Sequence, residues 1–174
     1  MSKKATTALP SSREYAAKTS HEISSLVQRG KHTALEPFGD PLSGIVLVAE
    51  PPAGEAVRIV DALRRSLAAV KLDLAYVTWA PLSLEEILAL EPTVLVAVGP
   101  DAALSIDSLH YPLAKTIFSE APEGSWFAWT GGTAGLKLPA LDPALDDAGA
   151  KRCFWRAFLA LRVLSPDGGG PSTG

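Results

Sequence analysis

The sequence predicts an α/β protein of three layers, α/β/α, around a mostly parallel central sheet. Three observations carry this. Three short runs, GIVLVA at 44–49, LAYVTWA at 74–80 and TVLVAV at 93–98, are almost wholly apolar, and the first and third are rich in β-branched residues. They are too short for helices and lack the polar alternation of a half-exposed strand. Segments of helical periodicity separate them. Each run closes on Pro or Gly, at Pro51-Pro52, Pro81 and Gly99-Pro100. In the resulting β-α-β-α-β order, right-handed crossovers are strongly favoured, so the three strands should lie parallel in one covered sheet.

Bulk properties fit one domain. A chain of 174 residues that is 47% hydrophobic can bury a core of about 120 residues, which excludes disorder of the whole chain. No apolar run approaches the roughly 18 residues of a membrane span, and MSKKATTALP lacks the apolar centre of a signal peptide. A cytoplasmic protein is expected. One cysteine, Cys153, leaves no means of building a disulfide, a Cys-based zinc site or an iron–sulfur cluster within the chain. Residues 1–35 hold six Lys/Arg and two Glu, whereas the remainder holds ten Lys/Arg and seventeen Asp/Glu. An acidic body argues against broad phosphate-backbone binding, which needs clustered cations.

Taken in order, residues 1–35 read as a flexible arm. Within it Ser12 is placed to cap a helix from Arg13 to about Gln28, stopped by Gly30. Tyr15, Thr19, Ile23, Leu26 and Val27 share one side of that helix. A stripe this thin is marginal alone and needs a surface, on its own domain or on a partner. The segment 36–43, EPFGDPLS, is a linker by its Pro and Gly content. The single domain then spans 36–164.

After strand 44–49, a helix is expected over about 53–69, with Val57, Val60, Ala62, Leu63, Leu67 and Val70 near helical spacing. Strand 74–80 follows. Ser83 caps a helix over 84–90 whose first turn holds Glu85 and Glu86, and Pro92 stops it. After strand 93–98 comes a short helix at about 101–109. Residues 110–124 read as loop. SWFAWT at 125–130 is a possible strand, with Trp126 and Trp129 on opposite faces if it is regular. Gly131-Gly132 turns the chain, and a last strand is expected at 135–140, followed by a turn at 141–144. The clearest helix runs from 148 to 164, with Phe154, Ala157, Phe158, Leu161 and Leu164 as its core face. Residues 165–174 read as a disordered, glycine-rich tail.

Chemistry-bearing motifs are sparse. The turn Glu50-Pro51-Pro52-Ala53-Gly54-Glu55 lacks both the GxGxxG and the GxxxxGK(S/T) patterns, and its two carboxylates would repel an anion. No HxxxH, HExxH or GxSxG occurs. No metal or cofactor is expected. Asp142, Asp146 and Asp147 precede the last helix, where carboxylates favour its N-terminus. The alternative is an acid/base pair in which Asp142 takes a second carboxylate from Glu50 or Glu55. Aromatic residues are usually core or interface anchors. Trp126 and Trp129 therefore join Tyr15, Ile23, Leu26 and Val27 as candidate partner-binding residues.

The order of parts also resembles a known family. Val48-Ala49-Glu50-Pro51-Pro52-Ala53-Gly54-Glu55, then Tyr76-Val77-Thr78-Trp79, then Val96-Ala97-Val98-Gly99-Pro100, then Leu138-Pro139-Ala140-Leu141-Asp142-Pro143-Ala144 resemble the successive motifs of the uracil-DNA glycosylase superfamily. The resemblance covers about residues 44–164 and implies that family's fold. It also places Trp79 where the base-reading asparagine stands and Asp142 where the catalytic histidine stands. An indole has no acceptor with which to read a flipped base. A glycosylase-like scaffold without its working residues is similar to the psi subunits of bacterial DNA polymerase III. That likeness rests on the arm, on the opening GIVLVAEPPAGEAVRIVDALRRSL and on Pro139–Asp147 with Ala150–Trp155. It implies a non-catalytic adaptor whose partners are the clamp-loader subunits and the chi subunit, and through chi the single-strand-binding protein and DNA. The alternative is a divergent glycosylase in which Glu50 activates water and Trp79 or Phe127 stacks the base.

Overall fold

The computed structural model describes residues 35–165, so the helix expected at 13–28, with Tyr15, Ile23, Leu26 and Val27, and the tail from 166 lie outside the described residues. Five strands form one sheet in the order β2-β1-β3-β5-β4: β1 Ile45–Ala49, β2 Tyr76–Trp79, β3 Val94–Val98, β4 Phe127–Ala128 and β5 Ala134–Leu138. The pairs β1·β2, β1·β3 and β3·β5 are parallel, and β4 joins β5 antiparallel at the far edge. The fold class is thus α/β with a mostly parallel sheet, as the three apolar runs predict.

Each strand splits its side chains between two cores. Leu47, Ala49, Val77, Trp79, Val94, Val96 and Val98 face one layer, and Val46, Val48, Tyr76, Leu95 and Ala97 the other. The first layer is made by α1 (Ala56–Ala69), α4 (Asp142–Asp146) and α5 (Ala148–Phe158), which runs on as 3-10 turns over Leu159–Leu164. The second is made by α2 (Leu84–Leu90), α3 (Pro100–Asp107) and the 3-10 turn Phe118–Glu120. Both faces are covered, which is why the strands read as continuous apolar runs rather than alternating ones.

Local chemistry explains where the elements start and where they differ from expectation. Ser83 and Glu86 form a reciprocal capping box at α2, with Glu86 N–H donating to Ser83 Oγ at 3.1 Å and Ser83 N–H to Glu86 Oε1 at 2.8 Å. Asp147 caps α5 by accepting from Ala150 N–H at 2.7 Å. Helix α1 begins at Ala56 rather than 53, and its buried stripe is Ile59, Leu63 and Leu67. Val57, assigned to that stripe from spacing, is 76% exposed. The stretch 125–130 forms a strand only at Phe127–Ala128, because β5 offers it just a two-residue register. Trp126 and Trp129 nevertheless fall in opposite layers, as alternation requires. Residues 141–144 are drawn into α4 rather than an open turn. Leu35, placed in the arm by composition, is buried in the first core, so the folded domain already includes it.

Candidate functional site

In an open parallel sheet, chemistry is sought at the carboxyl ends of the strands. Register sets four residues side by side there: Trp79 on β2, Ala49 on β1, Val98 on β3 and Leu138 on β5. All four are buried. Trp79 is 1% exposed, and its indole N–H donates to the Glu36 carbonyl at 3.3 Å. The indole is therefore a core residue. Beside it, Thr78 Oγ1 is buried with no hydrogen-bond partner.

The two carboxylates singled out from the sequence are brought together. Glu50 and Asp142 line one void with Ala49, Ile59, Val98 and Leu141, but its volume is only ≈10 Å³. That is about the room for a single water and far below the several hundred Å³ of a ligand pocket. Both side chains are also in use. Glu50 Oε2 accepts from Asp101 N–H, at the start of α3. Asp142 Oδ2 accepts from Ala53 N–H at 2.8 Å and so holds the turn after β1 against α4. Asp146 pairs with Arg58 at 3.1 Å, both ends well exposed. Among the described residues no cluster of His, Cys, Asp or Glu is arranged to hold a metal.

Burial pushes the Glu50 carboxyl above the ordinary glutamate value of 4.5. The Asp101 and Asp142 charges act in the same direction, against amide hydrogen bonds from Asp101 and Ala102. The folded protein thus holds this proton more tightly than the unfolded chain. From 4.5 up to the raised pKa folding takes up a proton, so the Glu50 contribution to stability is greatest below the window and falls as pH rises through it. Glu50→Gln removes that titration. In denaturant melts, the stability of the variant relative to wild type should rise with pH across this window and level off above it. A difference independent of pH would contradict the assignment.

The tryptophans separate. Trp129 is 2% exposed beneath Tyr111, ring centroids 5.0 Å apart, so it presents no surface to a partner in this fold. Trp126 is half-buried, with its indole N–H donating to the Ala160 carbonyl at 3.2 Å. Trp155 is half-buried against Phe158 and lines a groove of ≈440 Å³ with Leu145, Arg58, Arg65 and Lys151. Sequence reading missed a second grooved surface, over α2 and the loop after α3, where Leu88 and Tyr111 stand. The available signal was the stretch between Lys71 and Lys115, which has six Asp/Glu and no Lys or Arg. No helix among the described residues is long and apolar enough to cross a membrane.

The fold and this edge define an α/β domain whose strand ends are closed by apolar side chains and tethered carboxylates. Compared with known proteins, the chain matches no family model and no curated sequence.

Proposed function

We propose that the chain is a non-catalytic adaptor on a uracil-DNA glycosylase-like scaffold, similar to the psi subunits of bacterial DNA polymerase III. In this reading it links the clamp loader to chi, and so to single-strand-binding protein. The supporting observation is the closed edge. Trp79, which the sequence resemblance aligns with the base-reading asparagine, is buried in the core, and Glu50 and Asp142 hold backbone amides around a ≈10 Å³ void. A glycosylase needs a pocket that admits a flipped base and a free group to activate water. An adaptor needs neither, and keeps the scaffold for its outer surfaces.

The test is affinity capture from a bacterial lysate with the tagged full chain, read by mass spectrometry. Chi and clamp-loader subunits should be recovered together. Deleting residues 1–34, which leaves Leu35 in the core, should lose the clamp loader and keep chi. Recovery of neither overturns the adaptor reading. Uracil release from a single-stranded oligonucleotide that vanishes in Glu50→Ala would replace it with the enzyme.

A further inference from the structure

Charge is segregated between the two helical layers. Of the ten Lys/Arg among the described residues, seven stand on α1 and on α5 with its 3-10 extension, and all seven are exposed. The segment 148–164 holds four of them and no Asp or Glu. Residues 72–123, which supply the second layer, hold eight Asp/Glu and one Lys. A body that is acidic as a whole thus carries one cationic face.

That face is grooved where α1, α4 and α5 meet. The depression has a volume of ≈440 Å³, with Leu141, Leu145 and Trp155 among its apolar lining and Arg58, Arg65 and Lys151 around it. Arg58 and Arg65 lie two turns apart on α1, and Lys151 and Trp155 one turn apart on α5, so helical spacing turns each pair to the same side. Trp155 is half-buried and stacks on Phe158, ring centroids 5.5 Å apart, which holds its ring in place. The cations are only lightly engaged. Arg58 meets Asp146 at 3.1 Å and Arg65 meets Asp61 at 2.7 Å, and both pairs are exposed at both ends. Exposed pairs of this kind are weak, so an incoming carboxylate exchanges with them readily. Lys151 makes no ion pair among the described residues.

We infer that this groove binds an acidic peptide segment of a partner protein. One large apolar side chain of the segment lies against Trp155 and Leu145, and flanking carboxylates meet Arg58, Arg65 and Lys151. The volume is near the lower end of ligand sites, which suits one such side chain with its adjoining backbone. Guanidinium groups match carboxylates in shape as well as charge. A nucleic acid fits less well. It calls for several rings in series along a cationic track, whereas the groove offers one half-buried indole, and the eight carboxylates of residues 72–123 repel a long polyanion. The inference does not rest on the adaptor reading, since the groove binds its peptide whether or not chi or the clamp loader is captured.

Fluorescence anisotropy on the purified full chain tests this. The probe is a fluorescein-labelled peptide of about eight residues, all Asp or Glu but for one central Phe. It should bind with a Kd of roughly 100 µM or tighter. Exchanging the Phe for Gly should weaken binding about ten-fold or more, because the apolar contact is lost. Lys151→Glu and Arg65→Glu, both at exposed positions, should each weaken it roughly ten-fold. Lys115→Glu makes the same change in net charge on the opposite layer and should leave binding within about two-fold of wild type. Raised salt should weaken the wild-type complex and affect the two groove variants less. No binding, binding indifferent to the Phe, or equal losses in all three variants overturns the proposal. Tighter binding of an oligothymidylate of equal charge, competing with the peptide, assigns the groove to nucleic acid and overturns it. A dimer in sedimentation that Lys151→Glu dissociates assigns the groove to a second copy, with the same consequence.

Discussion

Replacing Trp79 by Asn is expected to unfold much of the protein's stability margin and to restore no base excision. The indole is fully buried on β2 among residues of the first core, and its N–H is bonded to the Glu36 carbonyl. Truncating a buried Trp costs about 3–5 kcal/mol in lost transfer energy and residual cavity. Asn adds a carboxamide that must find partners between apolar neighbours, at a cost of about 1–3 kcal/mol for whatever stays unpaired. A net loss near 6 kcal/mol corresponds to a fall in Tm of roughly 18 °C for a chain of this size. Trp79→Phe keeps most of the volume and loses the hydrogen bond, so it should cost about 1–2 kcal/mol. Thermal melts of the two variants, with an assay of uracil release from single-stranded DNA, check both halves. An Asn variant that is as stable as wild type, or that excises uracil, would show that position 79 is a binding position and not a core one.

Strand and helix order was legible because burial on both faces leaves a simple mark. The runs at 44–49 and 93–98 have nowhere polar to point, so their parallel order could be read, whereas the register that aligns Ala49, Trp79 and Val98 comes from the structure. The Ser83–Glu86 box was legible for the same reason, since its chemistry is local. What depends on distant partners was not. Val57 and Ile59 are both apolar on one helix, and only the position of the sheet decides that Ile59 is buried and Val57 exposed. Trp129 reads as a surface anchor until Tyr111, from a loop, is stacked over it. Glu50 and Asp142 were singled out together, and they do meet. Their roles are fixed by the Asp101 and Ala53 amides, and no spacing rule connects residues 51 and 89 positions apart. A carboxylate at the functional edge is thus ambiguous in sequence between acid/base chemistry and capping, and the contacts distinguish the two.

Gly99→Ala gives the second large effect and tests that capping role directly. Gly99 sits at φ 104° and ψ 152° between β3 and α3, in a region that side chains disfavour by about 1–3 kcal/mol. A Cβ there would also overlap the Glu50 carboxylate, which lies against this turn to reach Asp101 N–H. Either the turn reopens or Glu50 leaves the start of α3, and with it goes a charge-assisted hydrogen bond of about 1.5–3 kcal/mol. The expected loss is about 3–5 kcal/mol, measured by denaturant unfolding. Gly54→Ala, where nothing lies within 4 Å of the added carbon, should change stability by less than about 0.5 kcal/mol. The double-mutant cycle separates the two causes. With Glu50→Ala in the background, the overlap is gone and only the backbone cost remains, so Gly99→Ala should then lose about 1–3 kcal/mol. The two substitutions therefore cost less together than the sum of each alone. Strict additivity would mean that Glu50 does not press on this turn, and it would free that carboxylate for the catalytic role that the closed edge argues against.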